Sequence, residues 1–409
     1  MQPGAPRTHT LSPTATGPLK GVRIIDMTAV VFGAYATQIL GDMGAEVIKI
    51  EAPAADGRHG DVMRWAGNSP ADAPRGMGPI FMTINRNKRS MLLDLRREGD
   101  RAALRALVPT CDVFVATVRI DGLARLGLDY AGVKALRPDV VYVHGSGYGV
   151  GGPCEGAPAY DDLIQAASGA ADLLSRADGD PTPRFMPTVM ADKVSGLFMV
   201  QAVLAALFHR ERSGEGQFVE VPMLECVTSF NLAEHQFGHV YDPPTGAYGY
   251  HRIATTTRKP YPTRDGWMGL LPYTPQQWSG FFDLVGWTDT VAKDPRFAEP
   301  AVRARNIQAL YALLETVTPL RTTAEWLAAL KPLHIPVAPL NRLEDMMADP
   351  HLSAVGLFER YEHPAAGAYV AMRSPLRFSA TPADIRRHPP GLGEHTAEVL
   401  AELGLPPLG

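Results

Sequence analysis

The sequence predicts an α/β fold, with a doubly wound domain of Rossmann type and a second, smaller domain. The first observation is a β-branched run at Gly21–Asp26, followed by a helical stretch at 33–43 and another strand at Gly44–Ile50. Strand, helix and strand within about thirty residues form a βαβ unit, which requires a parallel sheet. The second observation is that the alternation recurs, with further strands at Met91–Leu95, Asp112–Val115 and Asp139–His144.

The later part of the chain first continues this pattern and then changes character. A helix is predicted at Asp161–Gly169, and the strand Phe218–Pro222 is followed by a helix at Met223–Gln236. Between them lies an apolar helix, whose predicted buried face comprises Val194, Leu197, Phe198, Val203, Leu204, Leu207 and Phe208. From about Phe237 to Pro262 the chain is rich in Gly, Pro and Tyr. We interpret that stretch as a linker or lid that leads into the second domain.

Composition narrows the class of protein. The chain has 409 residues, 45% of them hydrophobic and 20% charged, as in ordinary globular enzymes. A formal charge of −4 gives no general argument for binding nucleic acid, and no apolar run approaches the length of a membrane span. Cys111, Cys154 and Cys226 lie far apart without metal-ligand spacing, so we expect buried thiols, a cytoplasmic protein and no metal. Residues 1–17 are expected to form a disordered tail.

A glycine-rich loop raises the alternative of a dinucleotide site. Gly147–Gly152 fits G-x-G-x-x-G after a predicted strand. However, Pro153 and a further loop follow, where the dinucleotide fingerprint requires a helix to receive the pyrophosphate. We therefore expect no NAD site here, and predict instead that the loop carries a turn or backbone donors within another site.

Asp192 begins the long apolar helix, and two interpretations of it remain open from position alone. As an N-cap it would stabilise the helix by about 1 kcal/mol. Alternatively, the helix N-terminus would hold its carboxylate ionised and direct it at an electrophile.

Several blocks resemble one known family. They are GVRIIDMT…GAYATQILGDMGAEVIKIE, NRNKRSMLLDL, AYDDLIQAASG, ADKVSGL…AVLAALFHRERSGEGQFVEVPMLE and GLGEHTAEVL. They occur in order between about Gly21 and Leu403, and resemble the family III CoA-transferases, a group related to the α-methylacyl-CoA racemases. The resemblance implies a Rossmann-like large domain at 18–225, a linker and smaller inserted α+β domain at 226–335, and a return to the large domain at 336–409. It also implies an interlocked homodimer.

The resemblance further implies a reaction and its residues. CoA would pass from an acyl-CoA donor to a carboxylic acid acceptor, with CoA as substrate and no cofactor. Asp192 matches the family's nucleophile, and Tyr160 matches a tyrosine near that nucleophile. The phosphates of CoA would meet cationic side chains. The positions that match or suggest CoA contacts are Arg58, Arg86, Lys88, Arg89, Thr117 and Arg125.

Departures from the family pattern bear on the substrate and on the alternatives. Val31 stands where formyl-CoA transferases carry a glutamine, and Thr117 replaces an asparagine. We therefore expect a small or medium acid other than formate or oxalate. An acyl-CoA racemase of the same fold is the alternative function, but Tyr160 stands where racemases resemble a histidine, and a phenol is a poor base for an α-proton. A non-catalytic CoA-binding protein is the third hypothesis, and Asp192 argues against it.

Overall fold

The computed structural model describes residues 9, 11, 14–54, 57–66, 76–297 and 299–408. The chain divides into two compact units. The first contains the described residues of Met1–Ser168, Phe185–Phe230 and Met347–Gly409, and the second contains those of Gly169–Arg184 and Asn231–Met346. The second unit thus includes the short segment Gly169–Arg184, which we had assigned to the large domain.

A six-stranded, fully parallel sheet forms the centre of the first unit, in the order β3-β2-β1-β4-β5-β6. The strands are β1 (Arg23–Met27), β2 (Glu46–Glu51), β3 (Lys88–Leu92), β4 (Val113–Ala116), β5 (Val141–Ser146) and β6 (Phe218–Pro222). The predicted α/β fold with a parallel sheet is confirmed. The strand order reverses between β1 and β4, and ligands of doubly wound folds bind at the carboxyl ends of the strands at this switch point.

Helices cover both faces of the sheet. In the first unit these are α1 (Phe32–Asp42), α2 (Pro79–Ile84), α3 (Glu98–Leu107), α4 (Ile120–Arg125), α5 (Tyr130–Leu136) and α6 (Asp161–Ala167). The helix α8 (Met190–Ser213) follows, and α9 (Met223–His235) begins in this unit. Alternate strand residues point to opposite faces, so Ile24 packs in the cluster with α1 and α8, whereas Ile25 packs in the cluster with α3.

The helix α8 is the central helix of one of these layers. It packs on α1, α6, β5 and β6. Its length and composition would suffice to cross a membrane, but half of its most apolar window is buried in the fold. Val194 and Val203 are buried as predicted, whereas Leu197 and Phe208 are 47% and 64% exposed. The prediction of a buried position is therefore wrong for Leu197 and Phe208, which leave an apolar stripe on the outside of the helix.

The strand β3 differs from its prediction in a way that matters for the site. It begins at Lys88, not at Met91, and pairs with β2 so that Arg89 lies opposite Ile48. The predicted strand at Met91–Leu95 leaves out Lys88 and Arg89, and charged residues rarely lie inside a buried strand. They do so here because each charge is paired with carboxylates of the same unit.

The carboxy-terminal segment also belongs to the first unit. It contains α15 (Pro350–Ala354), the antiparallel pair β10 (Phe358–His363) and β11 (Gly367–Met372), and α16 (Thr396–Glu402). The backbone N–H of His395 donates to the carbonyl of Ser90 at 3.0 Å, which attaches α16 to β3. Most of the predicted tail, 1–17, lies outside the described residues. Its described end is attached, since the Thr16 hydroxyl donates to the Pro382 carbonyl at 3.0 Å.

The second unit has its own small core. The helices are α7 (Ala170–Asp178), α10 (Pro275–Val285), α11 (Thr288–Lys293), α12 (Pro300–Arg305), α13 (Ile307–Val317) and α14 (Thr323–Leu330). Its antiparallel sheet has the order β7 (Tyr261–Pro262), β8 (Trp267–Leu270), β9 (Val337–Pro339). Trp278, Phe281 and Trp326 are buried at its centre. The helical stretch 300–317 is interrupted at Asn306, so it forms the two helices α12 and α13.

Candidate active site

Asp192 lies in the first turn of α8, at the carboxyl edge of the sheet. A helix that precedes a parallel strand such as β6 must begin at that edge. At Gly196, one turn further on, an added Cβ would lie 2.9 Å from the carbonyl oxygen of Phe32, so α8 closely approaches the start of α1. Because α1 follows β1, Asp192 is brought near the switch point between β1 and β4.

Asp192 is not the N-cap of its helix, so that hypothesis is wrong. The N-cap is Val189, which makes no side-chain capping bond, and Asp192 is the third helical residue. Its backbone N–H, one of the unpaired amides of the first turn, donates to Asp161 Oδ1 at 3.1 Å. Asp161 on α6 therefore accepts this hydrogen bond from another helix. The Asp192 carboxyl does not cap its own helix.

The expectation that the helix N-terminus keeps the Asp192 carboxylate fully ionised is also corrected. Burial raises the pKa of Asp192, the nearby charge of Asp161 raises it further, and the result is about 7. The residue is only 8% exposed, and the described residues give its carboxyl no hydrogen-bond donor. Desolvation without a donor disfavours the charged form. At neutral pH the group is therefore divided between acid and carboxylate.

Asp161 and Gln165 were not singled out as functional residues by the sequence. Gln165 Nε2 donates to Asp161 Oδ2 at 2.6 Å, and its Oε1 accepts from the N–H of Met186 at 2.8 Å. Asp and Gln four residues apart lie on one face of a helix, which the sequence AYDDLIQAASG does contain. What the sequence did not reveal is that this face meets the chain entering α8.

Tyr160 is the N-cap residue of α6 and is 68% exposed. It directly precedes Asp161, whose carboxylate contacts the Asp192 backbone, so the structure brings Tyr160 into the neighbourhood of Asp192 through the chain. Its exposure is not that of a tyrosine packed in the core. The structure shows no contact between the Tyr160 hydroxyl and the Asp192 carboxyl.

The cluster Arg86, Lys88 and Arg89 does not present cations to a ligand, which corrects the expectation for that block. Arg86 pairs with Asp42 at 2.6 Å, and Lys88 pairs with Asp26 at 3.1 Å. All three cations are less than 7% exposed. Burial lowers the pKa of Lys88 to about 8 although Asp26 opposes the effect. Arg89 pairs with Glu46, Glu398 and Glu402. Arg89 thus links β3 to β2 and α16, Lys88 links β3 to β1, and Arg86 binds the end of α1.

Buried charges also hold the loop between β1 and α1, at the switch point. Val30 has a positive φ of 63°, a conformation that costs about 1–3 kcal/mol for a β-branched residue. Its N–H donates to Asp61 Oδ1 at 3.2 Å, and Asp61 pairs with Lys49 at 2.9 Å. Lys49 also donates to the carbonyl of Thr28 at 2.7 Å. The loop that leads through Val31 into α1 is therefore held in place by the Lys49–Asp61 pair, whose side chains are fully buried.

The remaining candidates for CoA binding lie near the same edge of the sheet or on an exposed loop. Thr117 follows β4 and its N–H donates to the carbonyl of Met27 at 3.3 Å, so it lies at the switch point. Arg125 ends α4, is exposed, and has no ion-pair partner among the residues that the structure describes. Arg58 is also exposed, in the connection between β2 and β3.

The glycine-rich loop after β5 does not offer free backbone donors. The N–H groups of Gly149 and Gly151 donate at 2.9 Å to Glu225 and Glu155. The N–H of Val150 donates to Glu220 at 3.2 Å. Carboxylates thus already accept the N–H groups of Gly149, Val150 and Gly151, and no helix follows the loop directly. The structure agrees with the rejection of a dinucleotide site here.

The described residues contain no group of three His, Cys, Asp or Glu side chains that could hold a metal ion. The three cysteines are free. Cys111 and Cys226 are buried as expected, but Cys154 is exposed, because it lies in the loop that follows the glycine-rich segment.

The site combines a doubly wound sheet with a buried carboxyl at its carboxyl edge, and comparison with known proteins identifies the family. The sequence profile of CoA-transferase family III matches residues 19–396. The chain belongs to this family, as its motifs predicted, and it is a transferase that acts on CoA esters.

Named relatives and a solved structure cover almost the whole chain. Succinate--glutarate CoA-transferase of Agrobacterium fabrum is 33% identical over 96% of this chain and 97% of its own length. Formyl-CoA:oxalate CoA-transferase of Afipia carboxidovorans is 30% identical, over 94% and 93%. The crystal structure of a CAIB/BAIF family protein from Brucella suis is 31% identical with a TM-score of 0.79, over 95% and 100%. These names favour a transferase over the racemase alternative.

Proposed function

We propose that the protein transfers CoA from an acyl-CoA thioester to a free carboxylic acid, with Asp192 as nucleophile. The observation that carries the proposal is the Asp192 carboxyl itself. It is buried in the first turn of the core helix, has no hydrogen-bond donor among the described residues and has its pKa raised to about 7. A carboxylate of raised pKa is a better nucleophile than an ordinary one, and it is still substantially ionised at neutral pH.

The proposed reaction proceeds through covalent states of Asp192. The carboxylate attacks the thioester carbonyl, giving a mixed anhydride and CoA thiolate. The thiolate then attacks the aspartyl carbonyl, which releases the donor acid and leaves an aspartyl-CoA thioester. The acceptor carboxylate attacks this thioester, and the thiolate collects the new acyl group. Each step is an acyl transfer, and each requires a nucleophile without a tight hydrogen-bonding shell.

The relatives and the site guide the choice of substrates to test. Succinyl-CoA and glutarate are the first pair to test, because the Agrobacterium fabrum relative is named for succinate and glutarate. For the CoA part, we keep Thr117, Arg125 and Arg58 as proposed contacts. The exposed guanidinium of Arg125, near the carboxyl edge of the sheet, supports a contact with a CoA phosphate. We retain Tyr160 as a proposed substrate contact because it is exposed beside Asp161.

We also propose a homodimer. The outer face of α8 leaves Leu197 and Phe208 exposed at helical spacing, and Phe230 on α9 is 54% exposed. Apolar side chains clustered on a surface indicate a protein interface. A second copy of this chain is the proposed cover, and light scattering at low concentration tests it. A cytoplasmic location belongs to the same proposal and is supported by the free cysteines.

The decisive experiment is interception of the covalent enzyme. Incubation with succinyl-CoA and no acceptor should leave a CoA adduct on the peptide that contains Asp192, and hydroxylamine should release it. Asp192→Asn should show no adduct and almost no turnover, since an amide cannot form the anhydride. Asp162→Asn, which removes an exposed charge on α6, should behave like the parent. An adduct on another residue, or substantial turnover by Asp192→Asn, would refute the assignment.

A further inference from the structure

Asp161 and Gln165 form a clamp on the segment that carries Asp192. Asp161 Oδ1 accepts the Asp192 N–H at 3.1 Å, and Asp161 Oδ2 accepts from Gln165 Nε2 at 2.6 Å. Gln165 Oε1 in turn accepts the N–H of Met186 at 2.8 Å, and its Nε2 lies 3.3 Å from the carbonyl of Thr188. Two side chains one turn apart on α6 therefore fix both the entry to α8 and its third residue.

The clamp is built as a buried site and not as a surface contact. Gln165 is completely buried, and Asp161 is 9% exposed. Both oxygens of Asp161 accept hydrogen bonds, as the oxygens of an ionised carboxylate do. Asp161 is thus a second acidic side chain fixed beside Asp192. It donates no hydrogen bond to the Asp192 carboxyl. A clamp alone would not need a charge, since an asparagine or serine could accept the same N–H.

We propose that Asp161 is a positioning residue that drives Asp192 into its covalent states, because its negative charge opposes the free Asp192 carboxylate and not the acylated one. This inference rests on the proposed function of Asp192. The raised pKa of Asp192, with burial as its first cause and Asp161 as its second, supports the inference independently of the hydrogen bonds.

The charge balance of the reaction explains the benefit. When Asp192 attacks, a bond forms between its oxygen and the thioester carbonyl carbon, and the carbon–sulfur bond breaks. The electron pair leaves on the CoA sulfur, so the negative charge moves from Asp192 to the thiolate. The anhydride and the aspartyl thioester are neutral at Asp192, and repulsion by Asp161 is relieved in both. Asp161 therefore raises the free energy of the resting carboxylate relative to the covalent enzyme.

Other ionisable groups on the elements packed against α8 do not replace Asp161. None of them contributes to the raised pKa of Asp192. They are Tyr35 and Asp42 on α1, Asp162 on α6, Tyr142 and His144 on β5, and Glu220 on β6. On α8 itself, Lys193 Nζ donates to the hydroxyl of Thr188 at 2.5 Å. Removing the Asp161 charge should therefore leave burial as the only cause of the shift.

The test replaces Asp161 by neutral residues that still accept the Asp192 N–H. In Asp161→Asn and Asp161→Ser, the acid limb of the pH profile of kcat/KM for succinyl-CoA should move down by about one pH unit. The fraction of enzyme trapped as the hydroxylamine-sensitive adduct should fall at least about threefold. Gln165→Met loosens the clamp but keeps the charge, so it should lower kcat and leave the limb in place. Asp162→Asn serves as the matched control for charge.

A second readout requires no substrate and separates the two proposals. The measurement is the change in the free energy of unfolding caused by Asp192→Asn, determined as a function of pH. Its pH dependence reports the titration of Asp192. When Asp161 is also replaced by a neutral residue, the pH range over which this change develops should move to lower pH. If the unmodified protein transfers no CoA, the proposed function is refuted. A shift of the pH-dependent stability to lower pH would still support the effect of the Asp161 charge on Asp192. Folded Asp161→Asn and Asp161→Ser proteins with the parent's pH limb and pH-dependent stability would overturn the inference.

Discussion

Replacing Asp192 by asparagine should make the protein more stable at pH 8, although it removes the proposed nucleophile. The pKa of Asp192 rises from 3.8 in the unfolded chain to about 7 in the native state. Each pKa unit corresponds to about 1.4 kcal/mol. The native state therefore loses up to about 4 kcal/mol when Asp192 is ionised, and an uncharged amide avoids this loss.

The pH dependence of the effect identifies its cause. Because the pKa is raised in the native state, the protonated carboxyl makes its full contribution to the free energy of unfolding below pH 3.8. This contribution is lost as the pH rises through about 7. The stability difference between Asp192→Asn and the parent should thus be below about 1 kcal/mol at pH 4, grow between pH 4 and 7, and stay constant above about pH 8. Had Asp192 been a helix cap, the variant would be no more stable than the parent at any pH.

Urea unfolding, followed by circular dichroism between pH 4 and 9, measures the difference. The exposed neighbour of Asp161 supplies the control, since Asp162→Asn changes the same charge without burial and should show no comparable dependence. A parent that is as stable as Asp192→Asn at pH 8, or a difference that does not change with pH, would refute the reasoning about the buried carboxyl.

Three further predictions concern the cations and the surface. Arg89→Ala should lower the free energy of unfolding by about 1–2 kcal/mol, because Glu398 loses its cation while Glu46 and Glu402 keep only Arg23, and it should not change CoA-ester affinity in calorimetry of the folded protein. Arg125→Ala should have the opposite effects. It should weaken CoA-ester binding by about 1.5–3 kcal/mol and change the free energy of unfolding in urea only slightly. An unchanged affinity would show that Arg125 is a surface charge without a role in binding. Leu197→Glu should reduce the particle mass in light scattering to that of one chain, and a persistent dimer would place the interface elsewhere.

Much of the architecture was accessible from local pattern. The strands were predictable because β-branched runs alternate with amphipathic helices, and this periodicity depends only on which side chains face a core. The beginning of β3 was missed, because Lys88 and Arg89 resemble surface residues until their carboxylate partners are known. Likewise, Leu197 fits the apolar periodicity of α8, but periodicity does not show how wide a face the sheet covers.

The sequence by itself determined the family, the parallel sheet and the position of Asp192 in the first turn of a long apolar helix. Only the tertiary structure decided the state of that carboxyl and the role of the basic block. Asp161 precedes Asp192 by 31 positions, and the partners Glu398 and Glu402 lie more than 300 positions from Arg89. Ionisation depends on burial and on charges a few ångströms away, and chain folding, not local sequence, brings those groups together.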